Sequence, residues 1–319
     1  MSLETLRVGF RNGWQTTWIL GKVIFPVTLI VTLLSFTPLL DWVVRVCQPF
    51  MGWLGLPGEA AIPLVIANVL NLYAGIGAIL SLELTVKEVF ILAMMMSFSH
   101  NLFIETVVSS KVGVRASVVV LVRVGLAVLS AVIINVSWGG GAEPAQYGFL
   151  PDKGAVELTG WLEITVHALQ TALMGIFQLA MIVFPLMIFI QWMKDLKFLD
   201  VFTRWMQPVT KTLGLSPNTA TALSAGLLFG LAYGAGLIIQ AVKEDHLQKR
   251  DIYLLFIFLV ACHAVIEDTL IFIPLGIPVW PLLVIRLVIA AILTIMIALL
   301  WKRIDTKRDQ PSEGVRHEI

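Results

Sequence analysis

IFPVTLIV, beginning at Ile24 and running on through LLDWVVRVCQPFMGWLGLPG to Gly58, returns as VFPLMIFI, beginning at Val183 and running on through FLDVFTRWMQPVTKTLGLSPN to Asn218. At an offset of 159 residues Phe25 falls on Phe184, Pro26 on Pro185, Asp41 on Asp200, Arg45 on Arg204 and Gln48-Pro49 on Gln207-Pro208. A shared QP dipeptide and a shared LGL in one register mark an internal duplication, which frames every later motif. Shifted by one residue, YAGIGAIL from Tyr73 lies over YGAGLIIQ from Tyr233, so Gly75/Gly77 and Gly234/Gly236 are matching weak points. At an offset of 163, KEVFILAMMMSFSHNLFIETVVSSKVG lies over RDIYLLFIFLVACHAVIEDTLIFIPLG. His100 then falls on His263, Glu105 on Asp268, Thr106 on Thr269, Gly113 on Gly276 and Arg123 on Arg286.

Of the 319 residues, 58% are hydrophobic and 13% charged, and the mean hydropathy is +0.89. A soluble domain carries roughly 25% charged residues, so the chain reads as an all-α polytopic membrane protein. The 22 Lys and Arg against 21 Asp and Glu give a net charge of +1, which excludes nucleic acid as a partner. Cys47 and Cys262 form neither a disulfide framework nor a CxxC motif. The N-terminus lacks the pattern of a removable signal peptide, so the first apolar run is expected to stay in the protein. No GxxxxGK[ST], GxSxG or HExxH occurs, which argues against nucleotide hydrolysis and enzyme chemistry and calls for no cofactor.

Basic residues orient the copies. Arg7 and Arg11 place the N-terminus in the cytoplasm, and Lys111 and Arg115 place the end of the span 89–110 there too. In the second copy Lys243, Lys249 and Arg250 precede the corresponding span, 252–273, and the connection after it is uncharged. Lys302, Arg303, Lys307 and Arg308 hold the C-terminus inside. The two copies are therefore expected to be upside down relative to one another. Inversion requires an odd number of spans per copy, here 18–36, 89–110 and 114–136 in the first. What is left, 43–56 and 62–80, reads as an interfacial or re-entrant helix and a re-entrant hairpin broken at Gly75/Gly77, or alternatively as two ordinary spans. Broken backbone at membrane depth is tolerated where protein or a water-filled cavity covers it, which points to a substrate pathway. The expected organisation is a cytoplasmic N-terminus (1–13), one copy (14–136), an external linker with an amphipathic segment (137–171), an inverted copy (172–301) and a basic cytoplasmic tail (302–319).

Ionisable groups inside spans cost ~2.5 to 3.5 kcal/mol each on the insertion scale and are retained where they pair or face a cavity. His100 and His263 fall near the middle of their spans, where substrates of inverted-repeat transporters bind. On a continuous helix His100 and Glu105 would point about 140° apart, whereas Asn101 with Glu105, and His263 with Glu267, would share a face. Candidate pathway residues are His100, Asn101, Glu105, Thr106, His263, Glu267, Asp268 and Thr269. Asn68 and Asn71 join them, having Leu and Gly near the equivalent positions, and so serve either an asymmetric solute or the freed carbonyls of a helix break. Arg123 and Arg286 read equally as ion-pair partners of Glu105 and Asp268 or as anion contacts. Imidazole beside carboxylate also suits a divalent metal, with His263 and Glu267 as candidate ligands.

The hairpin YAGIGAIL followed by SHNLFIET or CHAVIEDT, twice and inverted, resembles the Gate or nucleoside-recognition membrane family over about Gly13 to Trp301. That family is similar to the core of concentrative nucleoside transporters and to the membrane part of the ferrous-iron transporter with a GTPase head. The resemblance implies a bacterial inner-membrane secondary transporter for a small polar solute such as a nucleoside-like compound, proton- or cation-coupled. A divalent-metal transporter and a non-transporting assembly or lipid-handling protein are the alternatives. This chain lacks the GTPase domain and cysteine-containing gate motif of the iron transporter and the additional helices of the nucleoside transporters. The expected partners are the lipid bilayer, a small solute or ion and, by symmetry, a second copy in a homodimer. A reporter fused at Gly113 should be cytoplasmic and one at Gly276 external, although the two glycines are repeat equivalents; both on one side would end the inverted reading.

Overall fold

The protein is described by a computed structural model covering residues 2–34, 36–148 and 160–308. Among these residues it is all-helical, in fourteen α-helices that fall into two runs of seven. The first run is α1 (Leu3–Leu34), α2 (Pro38–Trp53), α3 (Ala61–Val69), α4 (Leu72–Ile79), α5 (Val86–Phe98), α6 (Leu102–Lys111) and α7 (Ala116–Ser137). The second is α8 (Trp161–Asp195), α9 (Phe198–Thr212), α10 (Ala220–Tyr233), α11 (Ala235–Glu244), α12 (Lys249–Ala261), α13 (Glu267–Leu270) and α14 (Val279–Arg308). The part of the linker around Lys153 and the end of the C-terminal tail lie outside the described residues.

Among the described residues five helical stretches are long and apolar enough to cross a membrane, Leu3–Leu34, Val86–Lys111, Ala116–Ser137, Trp161–Asp195 and Val279–Ile304, and Val44–Trp53 with Gly58–Val69, bent by 89°, passes the same test as a pair. The sixth span expected, 252–273, is not a continuous helix. It runs as α12 to Ala261, loses regular structure over 262–266, and resumes only for the four residues of α13. Its counterpart 89–110 is likewise interrupted over 99–101, between α5 and α6. The helix that carries the first span starts well before it, because α1 is helical from Leu3 and, at ~1.5 Å per residue, is about 48 Å long.

The duplication extends to backbone detail. Helices α2 and α9 both end in a left-handed glycine, Gly55 (φ 76°) and Gly214 (φ 77°), and both close with a Schellman pair of hydrogen bonds, Leu56 to Met51 with Gly55 to Gly52, and Leu215 to Thr210 with Gly214 to Lys211. A side chain at Gly55 would collide with Asn135 of α7, and one at Gly214 would meet Ala298 of α14. Gly113 and Gly276 share positive φ, as do Asn101 (φ 48°) and Ala264 (φ 43°), each pair in the 163-residue register. An alanine held in that region is strained, which singles out the second break as a built feature.

Chain directions follow from contacts. Gly9, Gly13 and Gly21 of α1 face Ile188, Phe184 and Ile176 of α8, so the two equivalent helices run antiparallel, and a Cβ on Gly9 would lie 2.7 Å from the Ile188 backbone. Thr5 continues the series by donating to Asp195 at 2.5 Å. Small residues four apart permit this close crossing in lipid. The start of α5 lies at the end of α7, where Lys87 Nζ donates to the Asn135 carbonyl at 3.0 Å, while Tyr253, near the start of α12, accepts from the backbone of Arg115 at the start of α7 at 3.3 Å. Helices α5 and α12 therefore also run in opposite directions. Linker residues 141–145 fold back on the start of α5, with Val86 donating to Glu143 and Ala145 to Leu84.

Burial separates two classes of helix. Every residue from Val89 to Phe98 in α5 and from Leu254 to Ala261 in α12 is buried, whereas α7 and α14 keep exposed apolar stripes such as Leu121, Val128, Val132 and Val284, Val288, Ile292. Exposed apolar stripes on long helices are the lipid-facing surface. The broken helices form the centre and the unbroken ones the rim.

The hairpin breaks fall elsewhere than expected. In the first copy the break is at Leu70 and Asn71, Asn71 being extended and capping α4 by accepting from Ala74. Gly75 and Gly77 are inside α4, where a Cβ on Gly75 would lie 2.6 Å from both Ala67 and Met96, and one on Gly77 would press on Ile24 and Thr28. They serve close packing. In the second copy Gly230, not singled out from sequence, takes φ 74° and ψ 178°, a conformation open only to glycine, and Gly234 sits at the α10–α11 junction. Gly236 faces open space inside α11 and breaks nothing. Gly230→Ala should destabilise the protein by about 1–3 kcal/mol, whereas Gly236→Ala should leave the thermal midpoint of unfolding in detergent unchanged or raised.

Candidate functional site

The two helix interruptions meet. In the first, Ser99, His100 and Asn101 leave α5, and the Asn101 amide donates to the carbonyl of Ala67 at the end of α3 at 2.9 Å. In the second, Ala264 and Val265 donate to Gly226 and Leu227 of α10 at 3.0 and 2.8 Å. Each break is thus pinned to the hairpin of its own copy. The rings of His100 and His263 lie with centroids 5.2 Å apart.

An arginine from the last helix of each copy stabilises the break beside it. Arg123 of α7 donates from Nε to the Phe98 carbonyl (2.8 Å), from one terminal nitrogen to the His100 carbonyl (2.6 Å) and from the other to Glu105 (2.5 Å). Arg286 of α14 uses one terminal nitrogen for both the His263 carbonyl (2.9 Å) and Asp268 (3.1 Å), and its Nε and other terminal nitrogen are buried without a partner. Both guanidinium groups are fully buried.

His100 and Glu105 do not point 140° apart, because the chain between them is not a helix. The left-handed turn at Asn101 swings the imidazole back over the first turn of α6, leaving His100 Nε2 3.4 Å from Glu105 Oε1. His263 Nε2 reaches the same oxygen across the repeat interface at 3.3 Å. Asp268 Oδ2 completes the group, 3.8 Å from His100 Nε2 and 3.7 Å from His263 Nε2. Both Nδ1 atoms sit 2.8 Å from a carbonyl oxygen four residues back, that of Met96 or Leu259, and a carbonyl only accepts. His263 and Glu267 do not form the expected ligand pair: Glu267 accepts a hydrogen bond from Tyr73 of α4, and among the described residues the groups placed to hold a metal are His100, Glu105 and His263. Asn101 and Glu105 likewise share no continuous helix face. Tyr73 was legible as the tyrosine that repeats at Tyr233, although its role across the interface was not.

The remaining candidates lie around this centre. The Thr106 hydroxyl and the Asn101 side-chain oxygen are buried without a partner, and Thr269 donates to the Val265 carbonyl. Asn68 donates to the Leu64 carbonyl at 2.8 Å, so both hairpin asparagines bond to local backbone. His100, Glu105, His263, Glu267 and Asp268 are all buried, which makes this a sealed conformation.

An all-helical chain with several helices long and apolar enough to cross a membrane, two of its helices interrupted at a buried ionic centre, is a polytopic membrane protein. The chain belongs to the Gate family, described as nucleoside recognition, which matches residues 17–117 and 176–278. It is similar to the membrane protein YvoD of Bacillus subtilis strain 168, 59% identical over 295 residues that cover 92% of this chain and 94% of that protein. A shorter stretch of 76 residues is 38% identical to the inner membrane protein YjiG of Escherichia coli K12, covering 23% of this chain and 48% of that one. No solved structure matches the chain.

The two arginines should respond differently to charge removal. Breaking a buried pair costs ~3–5 kcal/mol, but Arg123 also serves two carbonyls that Glu105→Gln does not replace. Adding Glu105→Gln to Arg123→Met should therefore recover little stability, whereas Asp268→Asn should recover a larger share of what Arg286→Met loses, because only one carbonyl, that of His263, is then left unserved. Unfolding in mixed micelles measures both cycles; equal recovery would contradict the assigned backbone role of Arg123.

Proposed function

We propose that the chain is a secondary transporter of a bacterial inner membrane, built from inverted copies spanning 14–136 and 172–301 with both termini cytoplasmic, that moves a small polar solute such as a nucleoside-like compound. The observation that carries this reading is the convergence of both interrupted helices, with two histidines and three carboxylates, on one sealed centre between the copies. A purely structural ion pair needs no histidine and no broken helix. The antiparallel packing of α1 on α8 and the opposite directions of α5 and α12 support inversion, since these are repeat equivalents.

The unused hydrogen-bonding capacity fits a solute with both donors and acceptors. Arg286 offers two buried donors, the Asn101 oxygen accepts, and the Thr106 hydroxyl does either. Buried polar atoms left unpaired each cost about 1–3 kcal/mol, so a ligand that satisfies them gains affinity and selectivity together. Alternating access would then require the hairpins α3–α4 and α10–α11, each tied to one break, to part from the centre on opposite sides in turn. No nucleotide is needed for such a cycle.

Purified protein in proteoliposomes should take up one class of compound from a panel of nucleosides, organic anions and other small polar solutes. Thr106→Val and Arg286→Lys should each lower that uptake at least tenfold while the protein still folds. Uptake unaltered in both variants would remove these residues from the pathway.

A further inference from the structure

We propose that His100 Nε2, His263 Nε2 and Glu105 Oε1 together bind one divalent transition-metal ion between the two helix breaks. Each Nδ1 is committed to a backbone carbonyl, which can only accept, so the proton of each neutral imidazole is on Nδ1 and the lone pair on Nε2. Both lone pairs are aimed at Glu105 Oε1 and Asp268 Oδ2, which are acceptors as well. Four electron-rich atoms surround one buried point with no donor among them; Arg286 serves Asp268 Oδ2 from outside, and a cation at the centre would satisfy the other three.

The spacing suits a metal. With bonds of ~2.0–2.1 Å to imidazole nitrogen and carboxylate oxygen, neighbouring ligand atoms on a tetrahedron lie about 3.3–3.4 Å apart. The two nitrogen-to-Oε1 distances are 3.4 and 3.3 Å, and all three ligand atoms lie within 4.8 Å of one another. The surrounding contacts are those that orient metal ligands: each histidine is held through Nδ1 by a carbonyl, and Glu105 through its other oxygen by Arg123. Asp268 stands slightly farther off, at 3.7 and 3.8 Å from the nitrogens, and leaves the fourth position open to water or to the carboxylate itself. Two imidazoles and one carboxylate favour first-row ions such as Zn²⁺, Co²⁺, Fe²⁺ or Mn²⁺ over Ca²⁺ or Mg²⁺. The ligands come from both copies, so the ion would hold the copies together in the sealed conformation and be released when they part. What the ion does, as cargo or companion of the solute, rests on the transport reading; that it binds does not.

The test uses the full chain in detergent, stripped with a chelator and titrated with Co²⁺. One equivalent should bind, with the visible absorption of tetrahedral Co²⁺ and no sulfur charge-transfer band, although Cys262 precedes His263 in the chain. His100→Gln and Glu105→Gln should each weaken binding at least tenfold. Because either variant could fail to fold, the Zn²⁺-loaded parent protein provides the second measurement, its X-ray absorption showing two imidazole ligands. Absence of binding, a sulfur ligand, or a single imidazole would overturn the proposal and leave protons as the cations of the cluster. Solute uptake by metal-free protein together with absent binding would spare the transport reading, and binding without any uptake would spare the metal site.

Discussion

A helix interrupted in the hydrocarbon of a bilayer releases carbonyls that water cannot reach, and something in the protein has to take them over. Here a buried arginine does so in each copy. Arg123 satisfies Phe98 and His100, Arg286 satisfies His263, and the charge brought in with each guanidinium is balanced by the carboxylate five residues past the histidine. The break, the arginine and the acid are therefore one unit. Each of the three offsets the cost of burying the others, which explains why all three repeat in one register. The histidine stands at the point where the chain turns, so it is delivered to the interface between copies by the same constraint.

Symmetry makes the centre and its violation makes room for chemistry. In the first copy every guanidinium nitrogen has an acceptor, while in the second two nitrogens are left without one. Glu267, which has Ile104 at its equivalent position, adds a third carboxylate that no arginine matches, and it is held from the opposite copy by Tyr73. Taken as ionised, the carboxylates exceed the arginines by one charge. An excess of one negative charge in a sealed, apolar setting is a strong demand for a cation, and it falls on the copy with the looser arginine.

Much of this was legible in the sequence because duplication substitutes for comparison with other chains. Two matching histidines, acids and arginines in apolar runs mark positions the architecture needs twice, and the charge asymmetry around them predicts opposite orientations for the copies. The direction of the His100 side chain was not legible. Helical geometry applied to SFSHNLFIET presumes a helix, and the residue that ends it is Asn101, whose tolerance of the left-handed region is a weak signal. At the equivalent position Ala264 carries no such signal at all, so the second break shows only once the hairpin contacts from Gly226 and Leu227 are known. The glycine pairs misled for a related reason. A glycine can free the backbone or let a neighbour approach, and Gly75 does the second while the break occurs four residues earlier.

The same reasoning bears on how such a centre could open. Each break is bonded to the hairpin of its own copy, Asn101 to Ala67 and Ala264 to Gly226, whereas the links between copies at the centre are histidine to carboxylate and Tyr73 to Glu267. Bonds within a copy run through the backbone and keep each break and hairpin moving as a body. Those between copies run through side chains whose strength depends on what occupies the centre. A cation or solute there adds attraction between the two bodies, and its departure leaves four acceptors facing one another, which repel. Occupancy and closure are then coupled without any dedicated gate residue, because the ligand site and the interface that must open are made of the same atoms.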